Sequence, residues 1–198
     1  MAILHLQDGR GGRGLKGADV HHCGRWTRRC GREAAGMAPY ALPDADLLAA
    51  CREDAMRSGG PGGQHANKTA SAVRLVHRDS GTEVRCQDHR SRERNRVDAL
   101  RRLRVRLACQ LRGLSEPAWL QPWVRGGRLA IGAQAEAYPQ VAACLLDALA
   151  AAQGALAEAA PRCGLSTTQF AKALAADGEV RQAANAIRAA AGLGAIHD

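Results

Sequence analysis

Ser71-Ala72-Val73-Arg74-Leu75-Val76-His77-Arg78-Asp79-Ser80-Gly81-Thr82-Glu83-Val84-Arg85-Cys86-Gln87 is the stretch whose pattern decides the fold. From Ser71 to His77, Val73 and Leu75 fall on one face and Arg74 on the other. Thr82 to Gln87 alternates in the same way, with Val84 and Cys86 opposite Glu83 and Arg85. Asp79-Ser80-Gly81 between them is a turn signal. Period-two alternation on both sides of a turn predicts a β-hairpin. The period then changes. Between Ser91 and Arg112, Val97, Leu100, Leu103, Leu107 and Leu111 recur at steps of three and four, the apolar stripe of an amphipathic helix. Its other faces carry Arg92, Arg94, Arg96, Arg101, Arg102, Arg104 and Arg106, of which Arg104 and Arg106 are also candidates for internal salt bridges.

Immediately upstream stands Arg57-Ser58-Gly59-Gly60-Pro61-Gly62-Gly63-Gln64-His65-Ala66-Asn67-Lys68. A Gly-Gly-Gln tripeptide in isolation reads as a glycine-rich surface turn or a phosphate-binding nest. Its neighbours change that reading. The order is glycine-rich loop, hairpin, basic helix. In it stand Gly62-Gly63-Gln64-His65, Asn67, Ser71-Ala72-Val73-Arg74, His77, Gly81, Cys86-Gln87-Asp88, Arg90-Ser91, Asn95 and Ala99-Leu100. In these residues, positions 57 to about 112 resemble the catalytic domain of class I peptide chain release factors. One departure is Gly59, where that family usually has Ser.

The resemblance implies hydrolysis of the ester joining a nascent peptide to transfer RNA. It makes Gly62, Gly63 and Gln64 the catalytic residues. In such a reaction water attacks the ester carbonyl, and charge develops on its oxygen. A fixed backbone N–H aimed at that oxygen serves without any titratable side chain. By resemblance the donor is the Gln64 amide, and the Gln64 side chain shapes the pocket for water. Gly62 and Gly63 permit positive φ and close approach to RNA, and Pro61 restricts the chain just before them. The partners implied are the ribosome, at the peptidyl-transferase centre of its large subunit, its ribosomal RNA and P-site peptidyl-tRNA. A glutamine methyltransferase acting on Gln64 is a further possible partner. Arg57, Lys68, Arg74, Arg90, Arg92, Arg94 and Arg96 are the expected RNA-binding residues.

Charge supports a polyanionic partner. The chain carries a net +9. Residues 57–112 hold 14 Arg and Lys against 5 acids, whereas residues 113–198 hold 6 against 7. The basic charge therefore sits on the loop, hairpin and helix, which suits phosphate contacts. No aromatic residue lies between Met56 and Ser115, so base stacking is not the expected binding mode there.

Seven cysteines without a Cys-x-x-Cys pattern, and no signal peptide or long apolar run, point to reduced thiols and a cytoplasmic protein with no membrane partner. No metal or cofactor is expected. His65, His77 and His89 stand twelve residues apart, which is not a ligand spacing, and His21-His22-Cys23 with Cys30 is irregular.

The fold class expected is α+β. A small release-factor catalytic domain, its hairpin-containing sheet packed on the basic helix, precedes an all-α module. Residues 1–36, with eight glycines and seven basic residues, read as disordered or as a mis-called extension, with Met37 as the native start. Residues 37–112 read as the catalytic domain, with Asp44 as a helix N-cap. Residues 113–134 read as a linker in which Trp119 and Trp123 pack on a domain. Residues 135–195 read as helices. Tyr138–Ala152 breaks at Gly154, Ser166 and Gln169 form a capping box, and a last helix buries Val180, Ala184, Ile187 and Ala191. Ala159 to Leu174 resembles a helix-turn-helix, although Lys172 is the sole basic residue of its second helix.

No Pro-x-Thr or Ser-Pro-Phe tripeptide of the stop-codon-reading kind occurs, and no codon-recognition domain is expected before the loop. The C-terminal residues are alanine-rich and slightly acidic, unlike the basic tails of rescue factors that enter the messenger channel. The function expected is a codon-independent peptidyl-tRNA hydrolase in rescue or quality control. The alternatives are a non-catalytic ribosome- or RNA-binding protein and a helix-turn-helix DNA-binding regulator.

Overall fold

A computed structural model describes residues 37–56, 71–115 and 117–197. The expectations for residues 1–36, for Arg57 and Lys68 and for Gly62-Gly63-Gln64 lie outside these residues. Residues 36–198 form one compact unit. The class is α+β, as expected.

After a 3-10 turn at Pro39–Ala41 come helix α1 (Asp44–Ala49), strand β1 (Cys51–Met56), strand β2 (Ala72–His77), strand β3 (Glu83–Cys86) and helix α2 (Arg92–Gln110). The expected hairpin is β2–β3, with Val73 opposite Cys86 and Leu75 opposite Val84. Gly81 turns it at φ +70°, a conformation that costs glycine little. β1 adds an antiparallel third strand in the order β1-β2-β3. It was hidden because Arg52-Glu53-Asp54 breaks any apolar alternation. Those charges are satisfied in the fold: Arg52 and Arg74 both pair with Asp54, at 3.3 and 3.4 Å.

The inner sheet face, Val73, Leu75, Val84 and Cys86, is buried against Ala99, Leu103 and Leu107 of α2. Ser91 caps α2, its Oγ accepting from the Arg94 amide. Two expectations are corrected here. Val97 is 58 % exposed rather than part of the buried stripe, because the sheet takes the face of Asn95, Ala99 and Leu103 instead. Asp44 is not an N-cap but the first residue of α1, after Pro43. Its carboxylate accepts from Arg104 at 2.5 Å, which draws it away from the helix amides.

Residues 113–134 contain 3-10 turns at Pro117–Trp119 and Gln121–Trp123 and a hairpin of β4 (Val124–Arg125) with β5 (Arg128–Leu129). Trp119 and Trp123 pack against the helical core that follows, and Trp119 also meets Tyr40 edge-on, ring centroids 6.4 Å apart. Helices α3 (Tyr138–Ala151), α4 (Leu156–Arg162), α5 (Thr167–Ala175) and α6 (Gly178–Ala190) complete the chain. Their core holds Tyr138, Leu145, Leu146, Leu149, Phe170 and Leu174, all fully buried. Each such leucine contributes about 1.5–3 kcal/mol.

Gly154 ends the α3 run at φ +81°, and a Cβ there would stand 3.1 Å from the Arg188 Cα. Only half of the expected capping box forms. Ser166 Oγ accepts from the Gln169 amide at 3.3 Å, but the Ser166 N–H donates to Gly127 O at 3.2 Å, in the β4–β5 turn. Ala191, expected inside, is the exposed C-cap of α6.

The two parts meet along α2, which packs on α3 and α6. Val105 of α2 belongs to the helical core. The Asp147 carboxylate on α3 accepts from the Gly113 and Ser115 amides, at 3.0 and 3.4 Å, and from Ser115 Oγ at 2.6 Å. Asn185 closes the C-terminal end: its side chain donates to Ile196 O and accepts from Ile196 N.

Candidate functional site

The glycine-rich segment joins β1 to β2. Its flanking residues are hydrogen-bonded neighbours in the sheet, with Met56 opposite Ala72. The described residues on either side of the segment are therefore paired, on the edge strand β1 and the central strand β2.

This junction is tied to the helix by Asn95. This side chain is fully buried. Its Nδ2 donates to Ser71 O and to His89 O, both at 2.8 Å. Its Oδ1 accepts from the His89 amide at 2.8 Å and from Cys86 Sγ at 3.6 Å. A carboxamide has two N–H donors and two lone pairs on oxygen, and all four are used here. One residue thus joins the rejoining end of the loop, the end of β3 and the first turns of α2. Asn95 belongs to the motif in the sequence, but a bond reaching 24 residues back along the chain has no local signature.

Glu53 of β1 makes a second tie. It pairs with Arg92 at 2.8 Å and with Arg96 at 2.9 Å. Asp88 pairs with Arg102, which secures the Cys86-Gln87-Asp88 run to α2. Arg106 pairs with Glu179 and donates to Glu83 O at 2.8 Å. Arg104 donates to Tyr40 O at 3.1 Å besides its Asp44 bond. The salt bridges considered for Arg104 and Arg106 are both formed.

The expected RNA-binding residues separate into two groups. Arg74 lies between Asp54 and Glu83 on the outer sheet face, and Arg92 and Arg96 hold Glu53. Arg90 and Arg94 are exposed, and neither side chain has an ion pair among the described residues. The histidines have ordinary local roles. His89 Nε2 lies 2.9 Å from Asp98 Oδ2, and His77 Nδ1 lies 2.9 Å from Ser80 Oγ in the hairpin turn. Among the described residues no group of three or more His, Cys, Asp or Glu could hold a metal ion, and no helix is long and apolar enough to cross a membrane.

Two titrations contribute to the acid response of the sheet. Burial lowers the His77 pKa below its ordinary value. The unfolded chain therefore binds this proton more readily, and the stability held at neutral pH is lost as pH falls below about 6.5. Hydrogen bonds from Arg74 and Arg85 lower the Glu83 carboxyl to about 2. Its contribution is present above the ordinary carboxylate range and is lost as pH falls toward 2. Thermal melts from pH 8 to 2 are expected to show two declines, one below about pH 6.5 and one below about pH 4.5. H77Q should flatten only the first.

The three-stranded sheet, the helix packed on it and the two described ends of the glycine-rich connection all lie within residues 46–118. Residues 46–118 match the RF-1 domain family. Peptide chain release factor 1 of Caldicellulosiruptor bescii is 57% identical over 54 residues, covering 27% of this chain and 15% of the relative. Peptide chain release factor 1 of Polynucleobacter asymbioticus is 48% identical over 73 residues, covering 33% and 20%. Peptide chain release factor 2 of Bordetella avium is 40% identical over 84 residues, covering 39% and 23%. The chain thus spans less than a quarter of the length of these curated relatives.

Proposed function

We propose that this chain hydrolyses the ester of peptidyl-tRNA on the ribosome, independently of a stop codon, in rescue or quality control. The observation that carries this reading is the place of Gly62-Gly63-Gln64 in the connection between β1 and β2 of an RF-1 domain, with Met56 and Ala72 paired at its base. Water attacks the ester carbonyl of P-site peptidyl-tRNA in the peptidyl-transferase centre. The Gln64 amide donates to the developing oxyanion. The acyl–oxygen bond then breaks, the ribose 3′ oxygen takes a proton and the peptide leaves as its carboxylic acid. Ribosomal RNA forms most of the site, so the chain supplies positioning and one backbone donor, and a glutamine methyltransferase acting on Gln64 is a further partner in this reading.

The division into a catalytic domain (37–112), a linker (113–134) and a helical module (135–195) belongs to the same reading. The helices take the part of a recognition module that selects the ribosomal state, and the protein acts in the cytoplasm.

The test is peptide release from purified ribosomes carrying labelled peptidyl-tRNA in the P site, with a stop codon, a sense codon or no codon in the A site. Equal release in all three is expected. Release confined to the stop codon would overturn codon independence. Binding without release would leave a non-catalytic ribosome-binding protein.

A further inference from the structure

The arginines of α2 divide into two groups according to what they face. Arg92, Arg96, Arg102, Arg104 and Arg106 each hold a carboxylate of this chain: Glu53, Glu53, Asp88, Asp44 and Glu179. They bind the sheet, the N-terminal helix and the helical module to α2. Arg94 and Arg101 have no ion pair among the described residues, nor has Arg90 just before the helix. Asp98, four residues after Arg94 and three before Arg101, lies 2.9 Å from His89.

The unpaired residues share one stripe. Arg94, Val97, Arg101, Val105 and Ala108 follow one another at steps of three and four, opposite Asn95, Ala99 and Leu103. The stripe changes character along its length. Val97 is 58 % exposed, while Val105 and Ala108 are buried where α3 and α6 pack. The helical module therefore covers the C-terminal half of the stripe and leaves the N-terminal half open. Arg101 stands at the boundary. It lines a groove of about 670 Å³ with Val84, Val105, Gln134, Asp177 and Glu179. Arg85, Arg102 and Arg106 line the same groove, but Glu83, Asp88 and Glu179 neutralise them.

We propose that Arg94 and Arg101, with Arg90, form a docking face for the phosphate backbone of ribosomal RNA, and that the helical module ends this face at Arg101. The inference rests on the ribosomal reading above and names the side chains that make its contact. Charge complementarity selects the occupant. Three guanidinium groups have no ion pair among the described residues. They have no aromatic neighbour in sequence from Met56 to Ser115 on which a base could stack. Arg94 and Arg101 are two turns apart, about 10 Å along the helix, so they meet separate phosphates. Arg92 and Arg96 share Glu53, and Arg96 also lies 3.9 Å from Glu93, so they have a structural role.

The test is binding of the full chain to purified large ribosomal subunits over a range of salt concentration. Each phosphate contact adds about 0.7–0.9 to the slope of log affinity against log salt. R94A/R101A should lower that slope by about 1.5 and leave the melting temperature unchanged. R92A/R96A should keep the slope and lower the melting temperature, because Glu53 loses both partners. Equal flattening by the two double variants would overturn the division of the arginines. Weaker binding of R94A/R101A at an unchanged slope would assign the face to a ribosomal protein and overturn the RNA contact. Failure of the unmodified chain to bind any ribosomal particle would overturn the ribosomal reading and this inference together.

Discussion

Gln64→Pro is expected to abolish peptide release while leaving binding to the ribosome intact. Proline has no backbone N–H, so the substitution deletes the atom to which the proposed mechanism assigns the oxyanion. Loss of one such donor costs about 10²–10³ in rate where other donors remain. Here it is the only donor the chain itself is proposed to supply. Gln64→Ala makes the complementary test, because it keeps the N–H and removes only the side chain. It should retain release and relax the choice of nucleophile, so that added hydroxylamine competes with water and a peptidyl hydroxamate forms. Gly63→Ala should also abolish release, by adding a Cβ where the backbone has to approach RNA. Single-turnover release measured with saturating factor separates these effects from binding. Equal loss in Gln64→Pro and Gln64→Ala would move the catalytic role from the amide to the side chain.

The hairpin and the basic helix were legible because each buries one face of a regular element. Val73, Leu75, Val84 and Cys86 keep period two against the helix, and Gly81 marks the turn. β1 was not legible. Its fitness as a strand comes from ion pairs with residues 20 to 43 positions away, Arg74, Arg92 and Arg96, rather than from its own apolar pattern. The face of α2 was misjudged for a related reason. A leucine-and-valine stripe alone favours including Val97, but a buried Asn95 shifts the core side of the first two turns. The breaks at Gly154 and at Cys163-Gly164 were readable from local turn chemistry, and both fall between helices. What periodicity could not supply is the docking of α3 and α6 on α2, since no local pattern shows that Val105 belongs to a core built 15 to 91 residues later. The same limit applies to the site. The tripeptide was visible, whereas its connection to the rest of the domain depends on tertiary bonds.

Those bonds make Asn95 the second large effect. Asn95→Ala leaves the Ser71 carbonyl and the His89 amide and carbonyl without the partner that each has now. An unsatisfied buried group costs about 1–3 kcal/mol. Because water reaches part of this junction, the expected loss of stability is about 3 kcal/mol. The carbonyl of Ser71 is the last described backbone group before the sheet resumes after the glycine-rich segment, so its release also frees the base of that segment. Peptide release should therefore fall by more than ribosome affinity, with the loss in kcat rather than in the concentration for half-saturation. Asn95→Asp isolates the cause. It has nearly the same shape and keeps the acceptor for the His89 amide, but it sets a carboxylate against the carbonyls of Ser71 and His89. If the two donated bonds are what matters, Asn95→Asp should lose as much release as Asn95→Ala at neutral pH. Urea titration and single-turnover release on the same preparations check both quantities. A variant that loses the stability and keeps full release would show that Asn95 supports the fold without positioning the loop.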